Sequence, residues 1–117
     1  VKQRVVSLID DERVDVSTEF GNNPSPVSPV DSRGFGLIAS TIRGMDENVL
    51  VAPYLLQGGT DAKYFYPLSD HVYRFLMFRA TPETLLRVHG IDEQVSVEDF
   101  MQAIRFYYHL IRKSMAD

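Results

Sequence analysis

The sequence predicts an α/β fold: a mixed, mostly parallel sheet flanked by helices, with a helix–strand piece of a different kind in front. Three observations carry this expectation. Residues 49–54, VLVAPY, are apolar without polar alternation, as in a strand buried on both faces of a parallel sheet. Residues 13–20 instead alternate Val14, Val16, Thr18 and Phe20 with Arg13, Asp15, Ser17 and Glu19, the signature of a strand with one wet face. Helix-period segments surround both, which is the order of elements an α/β chain shows.

Taken in order, Val1, Val5, Leu8 and Ile9 fall at helical spacing with Lys2, Arg4 and Asp10 off that face, so residues 1–11 form a short amphipathic helix. The alternating strand follows at 13–20. Residues 21–32, GNNPSPVSPVDS, carry Pro24, Pro26 and Pro29 and have neither period; they read as a linker or extended crossing and mark a domain boundary. Asp31 or Ser32 then caps a helix whose apolar stripe is Phe35, Ile38, Ala39, Ile42 and Met45, with Gly44 as a C-terminal stop. After the strand at 49–54, Gly58 and Gly59 permit a sharp turn, and Thr60 caps a short helix that ends before Pro67. Residues 72–78, VYRFLMF, form a second apolar strand holding one Arg. Pro82 suits the first turn of a short helix over 80–88, and 89–93 is a loop. Ser96 and Asp99 make an S-x-x-D capping box for a last helix, whose apolar face is Val97, Phe100, Met101, Ile104, Tyr108 and Ile111. Arg112 and Lys113 suit the negative end of its dipole.

Composition narrows the function. With 117 residues, 44% hydrophobic and 24% charged, the chain has the make-up of one globular domain and enough length for a workable core. The net charge of −4 argues against a nucleic-acid surface. No apolar run is long enough to span a bilayer, and no signal peptide opens the sequence, whose first residue is Val1 rather than Met, as in a processed or excised piece. Cysteine is absent, so a metal here would be held by His and carboxylates.

Two places offer chemistry. In open α/β sheets ligands sit at the carboxyl ends of strands, which makes the stretch through Gly58, Gly59, Thr60 and Asp61 a candidate site wall; a plain connecting turn is the alternative. His89 lies in a Gly-containing loop, V-H-G-I-D-E, where Asp92 and Glu93 could hold its second ring nitrogen or simply favour the start of the last helix. His71 and His109 carry no pattern beyond packing or solvation. There is no H-E-x-x-H pair, G-x-S-x-G elbow or Walker loop.

The segments P-S-P-V-S-P at 24–29, A-P-Y-L-L-Q-G-G-T-D-A at 52–62, V-Y-R-F-L at 72–76 and H-G-I-D-E at 89–93 together resemble the C-terminal part of the M20 family of metallopeptidases, nearest its carboxypeptidase S and aminoacylase-like branch. The resemblance implies a catalytic α/β domain with two zinc ions and an inserted α+β lid domain used for homodimerisation. It places residues 1–20 at the end of the lid, 21–30 in the proline-rich return crossing and 31–117 in the C-terminal part of the catalytic domain. It makes His89 a zinc ligand, the one ligand contributed by this segment, and makes Gly58, Gly59, Thr60 and Asp61 substrate-binding. Glycine amides and a Thr hydroxyl at a helix start suit a substrate carboxylate. The general base and the other metal ligands of the family lie upstream of these motifs. Gln94 stands where the family commonly has Arg, and Met77 where it commonly has Pro.

The implied activity is zinc-assisted hydrolysis of amide or peptide bonds in N-acyl amino acids or short peptides with a free carboxylate, by a longer protein; the segment alone is expected to be inactive. A non-catalytic ligand-binding or interaction module on the same scaffold is the alternative. The expected partner is a small-molecule or peptide substrate, with no nucleic acid and no membrane.

Overall fold

Local side-chain caps set most helix starts among the described residues. The computed structural model describes residues 1–19, 21 and 23–116; Phe20, at the end of the expected first strand, Asn22 in the expected crossing, and Asp117 lie outside the described residues. Helix α1 spans Lys2–Ile9 and closes on Asp10 in the left-handed region at φ 45°. Helix α2 spans Arg33–Met45; of the two candidate caps it uses Ser32, whose hydroxyl accepts the Phe35 N–H at 3.1 Å. It runs through Gly44 and ends at Asp46, whose N–H reaches Ile42 O. A 3₁₀ turn, Asp61–Tyr64, follows its cap Thr60. Helix α3 is the single turn Pro82–Leu85, with a reciprocal Thr81–Thr84 capping box and Pro82 in the first turn. Helix α4 spans Val97–Ser114; the Ser96 hydroxyl accepts the Asp99 N–H at 3.0 Å and donates to the Asp99 carboxylate at 2.7 Å.

The packed centre lies between α2 and α4, where Ala39, Thr41, Ile42 and Phe106 are buried. The Phe106 ring meets Phe75 at 4.9 Å between centroids, and the Tyr107 hydroxyl donates to Phe75 O at 2.9 Å. Lys113 Nζ donates to Ser40 O at 3.0 Å and ties the end of α4 to α2. Thr41 is buried without cost to its hydroxyl, which donates to Leu37 O at 2.8 Å.

The face that α4 buries corrects the sequence reading. The inward row is Asp99, Gln102, Ala103, Phe106 and Leu110, spaced at helical period. The expected stripe points outward: Val97 is 80% exposed, Ile104 49% and Ile111 56%. The row that packs against Phe75 and α2 is the shorter apolar one of Ala103, Phe106 and Leu110, flanked by Asp99 and Gln102.

The expected parallel sheet is contradicted. Among the described residues there is no strand and no sheet; the regular elements are all helical. An apolar extended run becomes a strand only when a neighbouring backbone pairs with it. Residues 49–54 have no such neighbour, and Leu50 and Tyr54 stand 99% and 84% exposed. In 72–78 side chains take backbone groups that a ladder would use. The Ser28 hydroxyl donates to Val72 O and accepts from Val72 N–H, both at 2.9 Å, and Tyr107 takes Phe75 O. Residues 13–19 are likewise unpaired despite their alternation. The segment 72–78 is held instead by the proline-rich crossing and α2. The Tyr73 hydroxyl donates to Pro29 O at 2.6 Å and shares a hydrogen bond with Ser32 Oγ. Gly34 makes this approach possible, since a Cβ there would sit 3.0 Å from the Tyr73 ring.

The expectation of a workable core also fails. A compact chain of this length has a radius of gyration near ~13 Å; this one has 19.4 Å and extends over 61 × 36 × 23 Å. Helix α1 buries no residue, so its apolar face is uncovered.

Candidate functional site

The glycine stretch is open and lightly held. Neither Gly58 nor Gly59 has a positive φ, so the left-handed freedom of glycine goes unused here. A Cβ built on Gly59 would meet nothing within 4 Å. Thr60 is extended and its hydroxyl accepts the Ala62 N–H at 3.2 Å, which starts the 3₁₀ turn as the sequence indicates. That element has four residues rather than the helix expected to Tyr66, so little dipole backs it. Beyond the turn that Thr60 starts, the stretch is bonded by Arg74 Nη1, which donates to Gly58 O at 3.0 Å. Arg74 Nη2 also donates to Ser25 Oγ at 3.1 Å and to the Tyr66 hydroxyl at 3.3 Å. Sequence reasoning noted this arginine without giving it a role; a lone Arg inside an apolar run was the available signal.

His89 sits in the turns that follow α3. Its φ of 61° is left-handed, a conformation that costs most side chains energy and is seen more often for His, Asn and Asp than for others. The turn is closed by Gly90 N–H donating to Arg87 O at 2.8 Å. Glycine eases the turn, because a Cβ on residue 90 would sit a tight 3.0 Å from that same carbonyl oxygen. The His89 side chain is exposed and makes no hydrogen bond or ion pair among the described residues. Beside it an open depression is lined by Arg87, Ile91, Asp92, Glu93 and Gln94. Glu83, in the first turn of α3, is held below the usual carboxylate range by its own backbone N–H and by the Thr81 hydroxyl. Arg79 joins the end of 72–78 to the first turn of α4 through Glu98 at 2.5 Å and Asp99 at 3.5 Å.

No hydrogen bond or ion pair connects His89 with Gly58, Gly59, Thr60 or Asp61 among the described residues. Among the described residues no three His, Asp or Glu side chains gather as a metal centre would need. The chain therefore does not fit a self-contained zinc site.

The chain belongs to the peptidase family M20/M25/M40, which is matched over residues 3–113. It is 36% identical over 109 residues to a probable carboxypeptidase S-like 2 of Dictyostelium discoideum, covering 92% of this chain and 21% of that protein. It is also 36% identical over 114 residues to an N-fatty-acyl-amino acid synthase/hydrolase PM20D1 of Xenopus tropicalis, covering 97% of this chain and 22% of that one. The human protein of that name is 31% identical over 114 residues, covering 95% of this chain and 23% of its own length. The chain thus spans about a fifth of the length of these relatives. No solved structure matches it significantly. The family resemblance carried by the motifs at 24–29, 52–62, 72–76 and 89–93 agrees with this membership.

Proposed function

We propose that this chain is a segment of a metal-dependent hydrolase that cleaves the amide bond of N-acyl amino acids or of short peptides with a free carboxylate. The observation that carries the reading is the family match over residues 3–113, which spans both the G-G-T-D and the H-G-I-D-E motifs. The relatives, a probable carboxypeptidase S-like protein and an N-fatty-acyl-amino acid synthase/hydrolase, support that substrate class. The many uncovered apolar side chains, with α1 packed on no other helix, support a larger parent polypeptide. In this reading residues 1–20 belong to a lid that also dimerises the protein, 21–30 to the crossing and 31–117 to the catalytic unit.

His89 would contribute one metal ligand through a neutral ring nitrogen. Zinc, when bound, polarises the scissile carbonyl and lowers the pKa of a water. Gly58, Gly59 and Thr60 offer backbone N–H groups and a hydroxyl to the substrate carboxylate, and Asp61 lines the same wall. The chain's own residues thus bind and orient; none of them is assigned the proton transfer.

The full-length polypeptide, assayed against N-acyl amino acids and dipeptides, is expected to lose turnover on chelation and regain it with zinc. Absence of turnover by the metal-loaded protein would favour the non-catalytic module.

A further inference from the structure

Arginine 74 interrupts an otherwise apolar run, and an arginine is rarely drawn into such a setting without partners. Its partners are unusual. The guanidinium faces neutral acceptors from three separate stretches: Gly58 O in the glycine stretch, Ser25 Oγ in the proline-rich crossing, and the hydroxyl of Tyr66. The Tyr66 ring also lies 5.9 Å from the guanidinium carbon. No carboxylate pairs with Arg74 among the described residues, and its Nε is shielded from solvent with no acceptor. The full charge is therefore spent on dipoles, the strongest kind of hydrogen bond a carbonyl can receive here.

The glycine stretch needs such a hold. Residues 57–61 are all exposed, and over 55–59 the hydrogen bond from Arg74 to Gly58 O is the one made among the described residues. Two adjacent glycines without that bond would sample many backbone states, and a substrate would have to order them on binding.

We propose that Arg74 is a positioning residue for the substrate wall: it clamps Gly58 against the crossing and Tyr66, so that the amides of the glycine stretch are ordered before substrate arrives. This rests on the reading that Gly58–Asp61 line the substrate pocket. Arg74 itself touches no reacting atom, so its loss acts on binding rather than on bond cleavage.

The test compares wild type, Arg74→Met and Arg74→Lys in the full-length polypeptide. Amide hydrogen exchange is read over 55–66 and over α4, alongside KM, kcat and zinc content with an N-acyl amino acid. Arg74→Met is expected to speed exchange at 58–62 while α4 stays protected, and to raise KM by roughly tenfold with kcat within about twofold and zinc unchanged. Arg74→Lys should fall between, since an ammonium can keep one acceptor but not the fork. Unchanged exchange at 58–62 with unchanged KM would overturn the proposal. So would exchange rising equally in α4, which would make Arg74 a general packing residue. If wild type itself turns over no substrate, the hydrolase reading fails, and the exchange measurement still decides whether Arg74 tethers the stretch.

Discussion

Replacing His89 by Ala in the full-length polypeptide is expected to remove one bound zinc per chain and to lower kcat by on the order of 100-fold or more, with helix content intact. The fold should tolerate the change because the His89 side chain is exposed and holds nothing among the described residues. The backbone gives a second handle. At φ 61° an Ala keeps left-handed strain of about 1 kcal/mol, which Gly does not carry. His89→Gly should therefore lose the same metal as His89→Ala while being at least as stable. A histidine that merely packed its turn would show the reverse, lower stability with zinc retained. His71→Ala and His109→Ala are controls: the His109 ring lies edge-on to Tyr108 at 5.4 Å, and neither variant should change metal content.

Phe106→Ala should cost about 3–5 kcal/mol, the range for removing a fully buried aromatic ring. Phe106 is 0% exposed and joins Phe75 to the α2–α4 contact. Urea unfolding of the full-length polypeptide, followed by its helix signal, should show a large shift of the midpoint. Ile104→Ala, on the outward row of the same helix, should stay within about 1 kcal/mol. A larger loss for Ile104 than for Phe106 would mean that α4 packs by its other face.

Local chemistry made the helix ends legible. Ser32, Thr60, Pro82 and Ser96 each cap or open an element where their residue type indicates, because a cap depends on the next three residues and not on distant packing. Pairing is not local, and there the reading failed. The run at 49–54 has the composition of a buried strand, yet Leu50 and Tyr54 are exposed, none of its side chains is fully buried, and its backbone is unpaired among the described residues. At 72–78 the same composition is spoken for by Ser28, Tyr73 and Tyr107, contacts reaching 32 to 44 residues along the chain that no period reveals. Helix α4 shows the same limit, since the longer apolar stripe lies outward and the packing of Phe106 on Phe75 selects the other face. The family was legible because four short motifs keep their order across nearly the whole chain. Of the site, the caps and turns at Thr60 and Gly90 were within reach of the sequence; the Arg74 clamp was not, because its acceptors are backbone and hydroxyl groups 8, 16 and 49 residues away that no period links to it.

The most direct test of the account is hydrolysis by the 117-residue chain alone, with zinc added, measured beside the full-length polypeptide. The account predicts no turnover of N-acyl amino acids above the buffer rate for the short chain and zinc-dependent turnover for the long one, since one histidine does not make a catalytic zinc site. Turnover by the pure 117-residue chain would contradict it, and with it the assignment of the remaining ligands to other parts of the protein.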